Sequence, residues 1–252
     1  MAYEFISFET AGSVATLTFK RPNKLNALTP EMAGEIRHAL ANYGRARAIL
    51  IRGEGRAFCS GSDLSVEGAI SDDVLSDHYH PLILDIVSHR LPIVAEVNGA
   101  AAGVGCSLAL ACDFCIAGEG AYFMQAFVNV GLVADGGASW MLPRLVGKAR
   151  AAEMMMLGEK IHGRLALEWG LIHRCVPEAM LEHEAHALAA RLAKGPTKAL
   201  GMMKAILAAQ DRDLRTILEA EAKAQKLAAK SADGQEGIAA FLAKRPPKFR
   251  GK

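Results

Sequence analysis

A chain of 252 residues that is 51% hydrophobic and 22% charged has enough apolar side chains for a sizeable core and is not disordered. Its formal net charge of +2 supplies no global field for nucleic acid. The longest apolar runs are broken by Asn98, Ser107 and Asp113 before they reach the span of a bilayer, so no membrane partner is expected.

The opening MAYEFISFETAG has no basic stretch followed by an apolar one, so a secretory signal is not expected. Five cysteines, an odd count, fit a reducing cytoplasmic location. Residues 3–19 read as two short strands around Ala11-Gly12, and KRPNKLNALT follows as a loop. Thr29 and Pro30 open a helix that runs to about Tyr43, with a capping hydroxyl followed by proline in the first turn. AILIRG (48–53) is a buried strand, and FCSGSDL, from Phe58 to Leu64, is a glycine turn. The polar, His- and Asp-containing stretch 67–80 is expected to be mobile, and 81–89 to be helical.

Next comes the most informative segment, PIVAEVNGAAAGVGCSLALACD, from Pro92 to Asp113. Ile93, Val94 and Val97 mark a buried strand, a small-residue turn follows, and a Leu/Ala helix starts at once. That helix start has no capping side chain, so its first N–H groups and the positive end of its dipole are open to an incoming oxygen anion. Packing a helix onto a sheet is the competing explanation for the glycines, and GxGxxG and P-loop patterns are absent. Together with the FCSGSDL turn, however, two amide-bearing turns are what polarising a thioester carbonyl requires.

A strand is expected at 113–117 and a short exposed one at 121–123. From Lys148 onward the pattern turns helical, at 149–157, 163–169, 178–194, 196–209 and 212–229, with HRCV (173–176) the one strand that stands out. Strand–helix alternation followed by helices gives an α/β fold with parallel pairing. The expected division is a core over 1–195 and a helical region over 196–252, ending in the basic tail KRPPKFRGK, which reads as a frayed terminus. Cys59, Cys106, Cys112, Cys115 and Cys175 read as structural, since the CxxC at 112–115 has no second pair to complete a metal site. His183 and His186 read as solvated, and Met154-Met155-Met156 as core filler.

KRPNKLNALT, RAFCSGSDL, VNGAAAGVGCSLALACD, GLVADGGASWMLPRLVG and EWGLIHRCVP, in this order, resemble the crotonase (enoyl-CoA hydratase/isomerase) superfamily. The resemblance is nearest to its aspartate-dependent branches, such as the phenylacetate-pathway type of enoyl-CoA isomerase. It implies a spiral of ββα units with two roughly perpendicular sheets. A helical C-terminal trimerisation region would give a homotrimer or a dimer of trimers. It implies an acyl-CoA substrate, with coenzyme A as carrier and no separate cofactor or metal. The enolate would be held by two amides, which the resemblance puts at Ser62 and Val104. Contacts to CoA would fall at Lys24, Leu25, Ala27, Ser60, Asp63 and Leu64. Phe241 and Lys244 would reach the nucleotide end, with Lys248 a further phosphate-directed cation. Ala126, Phe127, Val128, Trp140 and Met141 would line an apolar acyl pocket.

The chain departs from the hydratase pattern at both glutamates, where it carries Ser107 and Phe127. Neither serves as a general base near neutral pH. Asp135, in GLVADGGASW, remains. As a bare sequence feature it is an ordinary turn or helix-cap residue. The resemblance makes it the acid/base of a one-base isomerase, desolvated beside Phe127, Trp140 and Leu132. Three alternatives stand beside that reading. One is an aryl-CoA dehalogenase or thioester hydrolase, with Asp135 as nucleophile and His80 activating water. The others are a hydratase with atypical acid/base groups and an inactive acyl-CoA-binding protein. An RNA-binding role is not expected, because the 31–43 helix carries only Arg37 and His38 as basic groups.

Overall fold

The computed structural model describes residues 3–65, 72–209 and 213–252. Strands β1 (Ile6–Ala11) and β2 (Val14–Phe19) form the expected hairpin, and Thr29 caps α1 (Pro30–Ala41) by accepting the Met32 N–H at 3.2 Å. Three ββ units follow, each crossing from one sheet to the other within a few residues. They are β3 (Ala48–Gly53) with β4 (Ala57–Cys59), β5 (Ile93–Val97) with β6 (Ala100–Ala102), and β7 (Phe114–Gly118) with β8 (Tyr122–Met124). The first strand of each unit joins a six-stranded sheet ordered β1-β2-β3-β5-β7-β10, where β10 is Arg174–Val176. The second joins a four-stranded sheet ordered β4-β6-β8-β9, where β9 is Ile161–His162. Apart from the β1–β2 and β8–β9 pairs, the ladders are parallel. The result is the α/β spiral expected from the strand–helix alternation.

Helices fill the gaps. Residues Asp72–Val74 (α2), a π-helical turn at Leu75–Tyr79 and His80–Val87 (α3) run in succession, so 72–80 is helical where a polar loop was expected. Residues 67–71, the rest of that segment, lie outside the described residues. Helix α4 (Val104–Ala111) is buried along its whole length. Helix α5 (Ala138–Leu157) is two helices joined at Gly147, whose φ of 77° and ψ of 164° break it, and the sequence pattern revealed only the second part.

After α6 (Gly163–Glu168), α7 (Glu178–Ala193) lays Leu181, Ala185, Leu188 and Ala189 on Leu50, Val94 and Ile116 of the large sheet. A larger core lies on the other side of that sheet, including Leu17, Phe19, Ile49, Ile51, Phe58 and Phe123. Each such side chain contributes about 1.5–3 kcal/mol by leaving water. Helices α8 (Thr197–Ala208), α9 (Leu214–Lys230) and α10 (Ala232–Leu242) complete the chain and expose Met203, Leu207, Leu218, Phe241 and Leu242.

Several expectations are corrected. The strand expected to be short and exposed at 121–123 is β8, whose Phe123 is fully buried because β6 and β9 flank it. The tail is not frayed: Asp233, itself buried, accepts the Arg250 and Gly251 amides at 2.6 and 2.7 Å. Arg47 donates to the Phe249 carbonyl, the Gly195 carbonyl and Thr197 Oγ1, tying the tail to the start of α8. In the methionine cluster, Met154 is core whereas Met156 is exposed. All five cysteines are free thiols, four of them buried. Among the described residues no helix is long and apolar enough to cross a membrane.

Candidate active site

The site grows out of two turns at the edge of the small sheet. β4 ends at Cys59, and Gly61 follows with φ +106°. β6 ends at Ala102, and Gly103 follows with φ +53° and ψ −130° before α4 begins. Both are conformations that glycine adopts without the clash a Cβ brings. The turns touch, since a Cβ on Gly103 would sit 3.7 Å from Gly61 Cα and 3.5 Å from the Phe127 ring.

The strap around the first turn is stitched to the Lys24–Leu28 loop. The Leu28 amide donates to the Gly61 carbonyl at 2.8 Å, Asp63 N–H to the Leu28 carbonyl at 2.9 Å, and Ser60 N–H to the Leu25 carbonyl at 3.0 Å. In the second turn the Cys106 and Ser107 amides both donate to the Gly103 carbonyl. The Ser62 and Val104 amides are not among these turn donors, and α4 has no side-chain cap. Two N–H groups on adjoining turns, one of them at a helix start, are the kind of donors that a developing oxyanion requires.

Asp135 lies on the third wall. The Ser107 hydroxyl donates to its backbone carbonyl at 3.1 Å, and a Cβ on the next residue, Gly136, would meet Ser107 Cβ at 2.8 Å and Val104 Cγ2 at 3.2 Å. The aspartate loop is therefore packed directly on the start of α4. Its carboxylate caps nothing: Gly137 occupies the N-cap position of α5 without a side-chain bond, and buried Asp135 Oδ1 has no hydrogen-bond partner among the described residues. Burial alone pushes this carboxyl up from 3.8 to about 6. A carboxylate in that range, desolvated and without a partner, is suited to taking and returning a proton near neutral pH.

The other expected residues separate into groups. Lys24, Leu25, Ala27 and Ser60 are brought together where the first loop meets the first turn, with Ser60 Oγ donating to the Lys24 carbonyl at 3.5 Å. Leu64 is exposed next to them. Asp63 is nearly buried and is occupied by Ser65 and by Arg21 Nη2 at 2.8 Å, which hold its carboxyl down at about 2. Phe127 packs its ring on Gly103. Trp140, by contrast, stacks with Arg144 at 4.2 Å and lines a different groove of about 480 Å³ with Pro92, Leu110, Met141 and Lys204. Phe241 (81% exposed) and Lys244 stand in solvent at the end of α10 in the single chain. His80 is exposed at the start of α3.

Sequence reading missed two supports of the site. Asn26, buried and at φ +54°, accepts the Arg21 amide and donates to the Glu54 and Ala57 carbonyls, locking the first loop to β4. Tyr79, a lone aromatic in a polar stretch, is fully buried against Leu28 and Ser62. The only signals were a second Asn in KRPNKLN and a Tyr among Asp and His.

A spiral of ββ units and helices with strands divided between two sheets in this order defines a crotonase-type fold. The chain belongs to the enoyl-CoA hydratase/isomerase family, whose profile matches residues 9–252. A protein named "probable enoyl-CoA hydratase" from Rhodobacter capsulatus is 46% identical, with 100% of both chains covered. The 1,2-epoxyphenylacetyl-CoA isomerase of Escherichia coli is 40% identical, with 99% of each chain covered. Among solved structures, an enoyl-CoA hydratase from Polaromonas sp. JS666 superposes with a TM-score of 0.91 at 35% identity, covering 97% of this chain and 99% of that one.

Proposed function

We propose that this enzyme moves the double bond of an unsaturated acyl-CoA by one-base proton transfer. Asp135 removes a proton from the α- or γ-carbon and the thioester oxygen becomes an enolate. The Ser62 and Val104 amides hold that oxygen, and the same carboxyl returns the proton to the other carbon. Each such donor contributes about 3 kcal/mol of transition-state stabilisation. The observation that carries the reading is the Asp135 carboxyl, raised to about 6 by burial with Oδ1 buried and unpaired, on a loop packed at Gly136 against the start of α4. By the family resemblance, Ser107 and Phe127 stand where the hydratase pattern has glutamates. Phe127, lying on Gly103, lines the cradle with an apolar ring rather than a carboxylate that would activate water. The E. coli relative named as an isomerase favours the same class.

The dehalogenase or hydrolase alternative requires a base to activate water beside Asp135, and His80 is a solvent-exposed residue of α3. The test is NMR of 3-enoyl-CoA and 2-enoyl-CoA with the protein in D₂O, run beside Asp135→Ala. Double-bond migration with deuterium uptake, lost in the variant while CoA affinity is retained, is the expected result. Full turnover by Asp135→Ala sinks the assignment. Oxygen from solvent entering the Asp135 carboxylate would instead establish a nucleophile.

A further inference from the structure

Tyr79 heads the fully buried side chains by size, although the chain around it is Ser76, Asp77, His78 and His80. It closes the π-helical turn Leu75–Tyr79, and its hydroxyl enters the strap beneath the first oxyanion turn. There it donates to the Leu28 carbonyl at 3.0 Å and lies 3.0 Å from Ser62 Oγ, whose own proton can point back to the phenol oxygen. Leu28 is also the residue that pairs with Gly61 and Asp63, on either side of Ser62. One phenol thus holds the Ser62 side chain and the strand that flanks it. Burial raises its pKa to about 12, so it remains a neutral donor at every working pH.

The need for such a brace lies in Gly61. The direction of the Ser62 N–H is set by the Gly61–Ser62 peptide, which glycine's broad conformational range would leave free to rotate. Its carbonyl accepts the Leu28 amide at 2.8 Å, so the aim of the donor depends on where Leu28 is held. The geometry points to Tyr79 as the positioning residue that aims the Ser62 amide at the thioester oxygen, acting through Ser62 Oγ and Leu28 without touching substrate. This rests on the reading that the Ser62 and Val104 amides hold the enolate.

Tyr79→Phe keeps the ring and its volume and removes only the hydroxyl. Displacing a catalytic group by about 1 Å costs on the order of a hundredfold, so a loosened donor is expected to lower kcat by at least about tenfold with KM within about twofold. The second readout is the ¹³C carbonyl shift of a bound saturated acyl-CoA, which reports polarisation without turnover. Wild-type protein should show the shift, and Tyr79→Phe should lose a large part of it. Ser62→Ala, which keeps the amide but drops the hydroxyl, should lose part of both, and the double variant should be no worse than Tyr79→Phe alone. Unchanged kcat and carbonyl shift in folded Tyr79→Phe, losses that multiply in the double variant, or a change in KM alone would overturn the inference. Should Tyr79→Phe fail to fold, full kcat and carbonyl shift in Ser62→Ala would overturn it instead. No carbonyl shift in the wild type would bring down the two-amide reading, and the role of Tyr79 with it.

Discussion

Asp135→Asn replaces a half-buried carboxylate by a neutral group of the same shape, and the consequence for stability has a definite sign and pH window. The folded protein holds this carboxyl at about 6, against 3.8 for an unburied one. Below pH 4 it is protonated in both folded and unfolded chains and costs nothing electrostatically. Between 4 and 6 the unfolded chain ionises first, so the wild type loses stability as pH rises through the folded value. Above 6 the penalty is complete. Each tenfold change in proton affinity is worth about 1.4 kcal/mol, which places the penalty at no more than about 3 kcal/mol for this half-buried group. The asparagine amide also lacks a partner, but that cost does not vary with pH. Urea unfolding of both proteins at one protein concentration, at pH 4.5 and pH 8, isolates the charge. About a third of the penalty is already present at pH 4.5, so the Asn variant should gain up to about 2 kcal/mol relative to wild type between the two pH values, while losing the proposed isomerase turnover. A stability difference that stays flat across that range would refute a desolvated, ionisable Asp135. In the wild type, kcat/KM should fall below about pH 6, as the base becomes protonated.

Arg21→Met leaves Asp63 without its cation at a pair only 16% and 8% exposed, and should cost about 3 kcal/mol at pH 7 by urea unfolding. Because Asp63 is held at about 2, its stabilisation is present above 3.8 and fades as pH falls through 2, so the variant's deficit should shrink in acid. Ser107→Ala removes the hydroxyl that supports the Asp135 carbonyl; a loss of about 1 kcal/mol and a lower kcat at unchanged KM are expected from denaturation and steady-state kinetics. Asp233→Ala should cost about 2 kcal/mol by urea unfolding and release the tail, seen as early tryptic cleavage after Lys248 and Arg250 by mass spectrometry.

The spiral and its two turns were readable because they are written in local patterns. Alternating β-branched runs marked β3 and β5, Thr29-Pro30 marked α1, and the glycines at 61 and 103 marked the turns. Where the sequence misled, long-range packing overrode local character. Phe123 belongs to a strand of three residues that only β6 and β9 make into a buried element. Tyr79 is buried because Leu28 and Ser62, far along the chain, supply partners for its hydroxyl. Asp233 holds the tail through backbone amides, which no side-chain pattern records. Asp135 was legible as a residue but not as an environment: the same Asp-Gly-Gly is an everyday helix cap, and only the structure shows Gly137 at the cap position and Asp135 Oδ1 without a partner.

The two amides proposed to hold the enolate, those of Ser62 and Val104, are main-chain groups, and this shapes how such a site changes over time. No replacement at position 62 or 104 except proline deletes an N–H, so the carbonyl-polarising device is shielded from most coding changes. Its weak points are Gly61 and Gly103, where any side chain strains the turn that aims the donor. Carboxylates enjoy no such protection, and one substitution creates or erases them. On the proposed reading, a lineage built on this scaffold can therefore exchange Glu for Ser at 107, or for Phe at 127, and settle the acid at 135 while keeping its enolate-holding amides. Chemistry then drifts around a fixed electrostatic centre, so overall resemblance reports the scaffold more faithfully than the reaction.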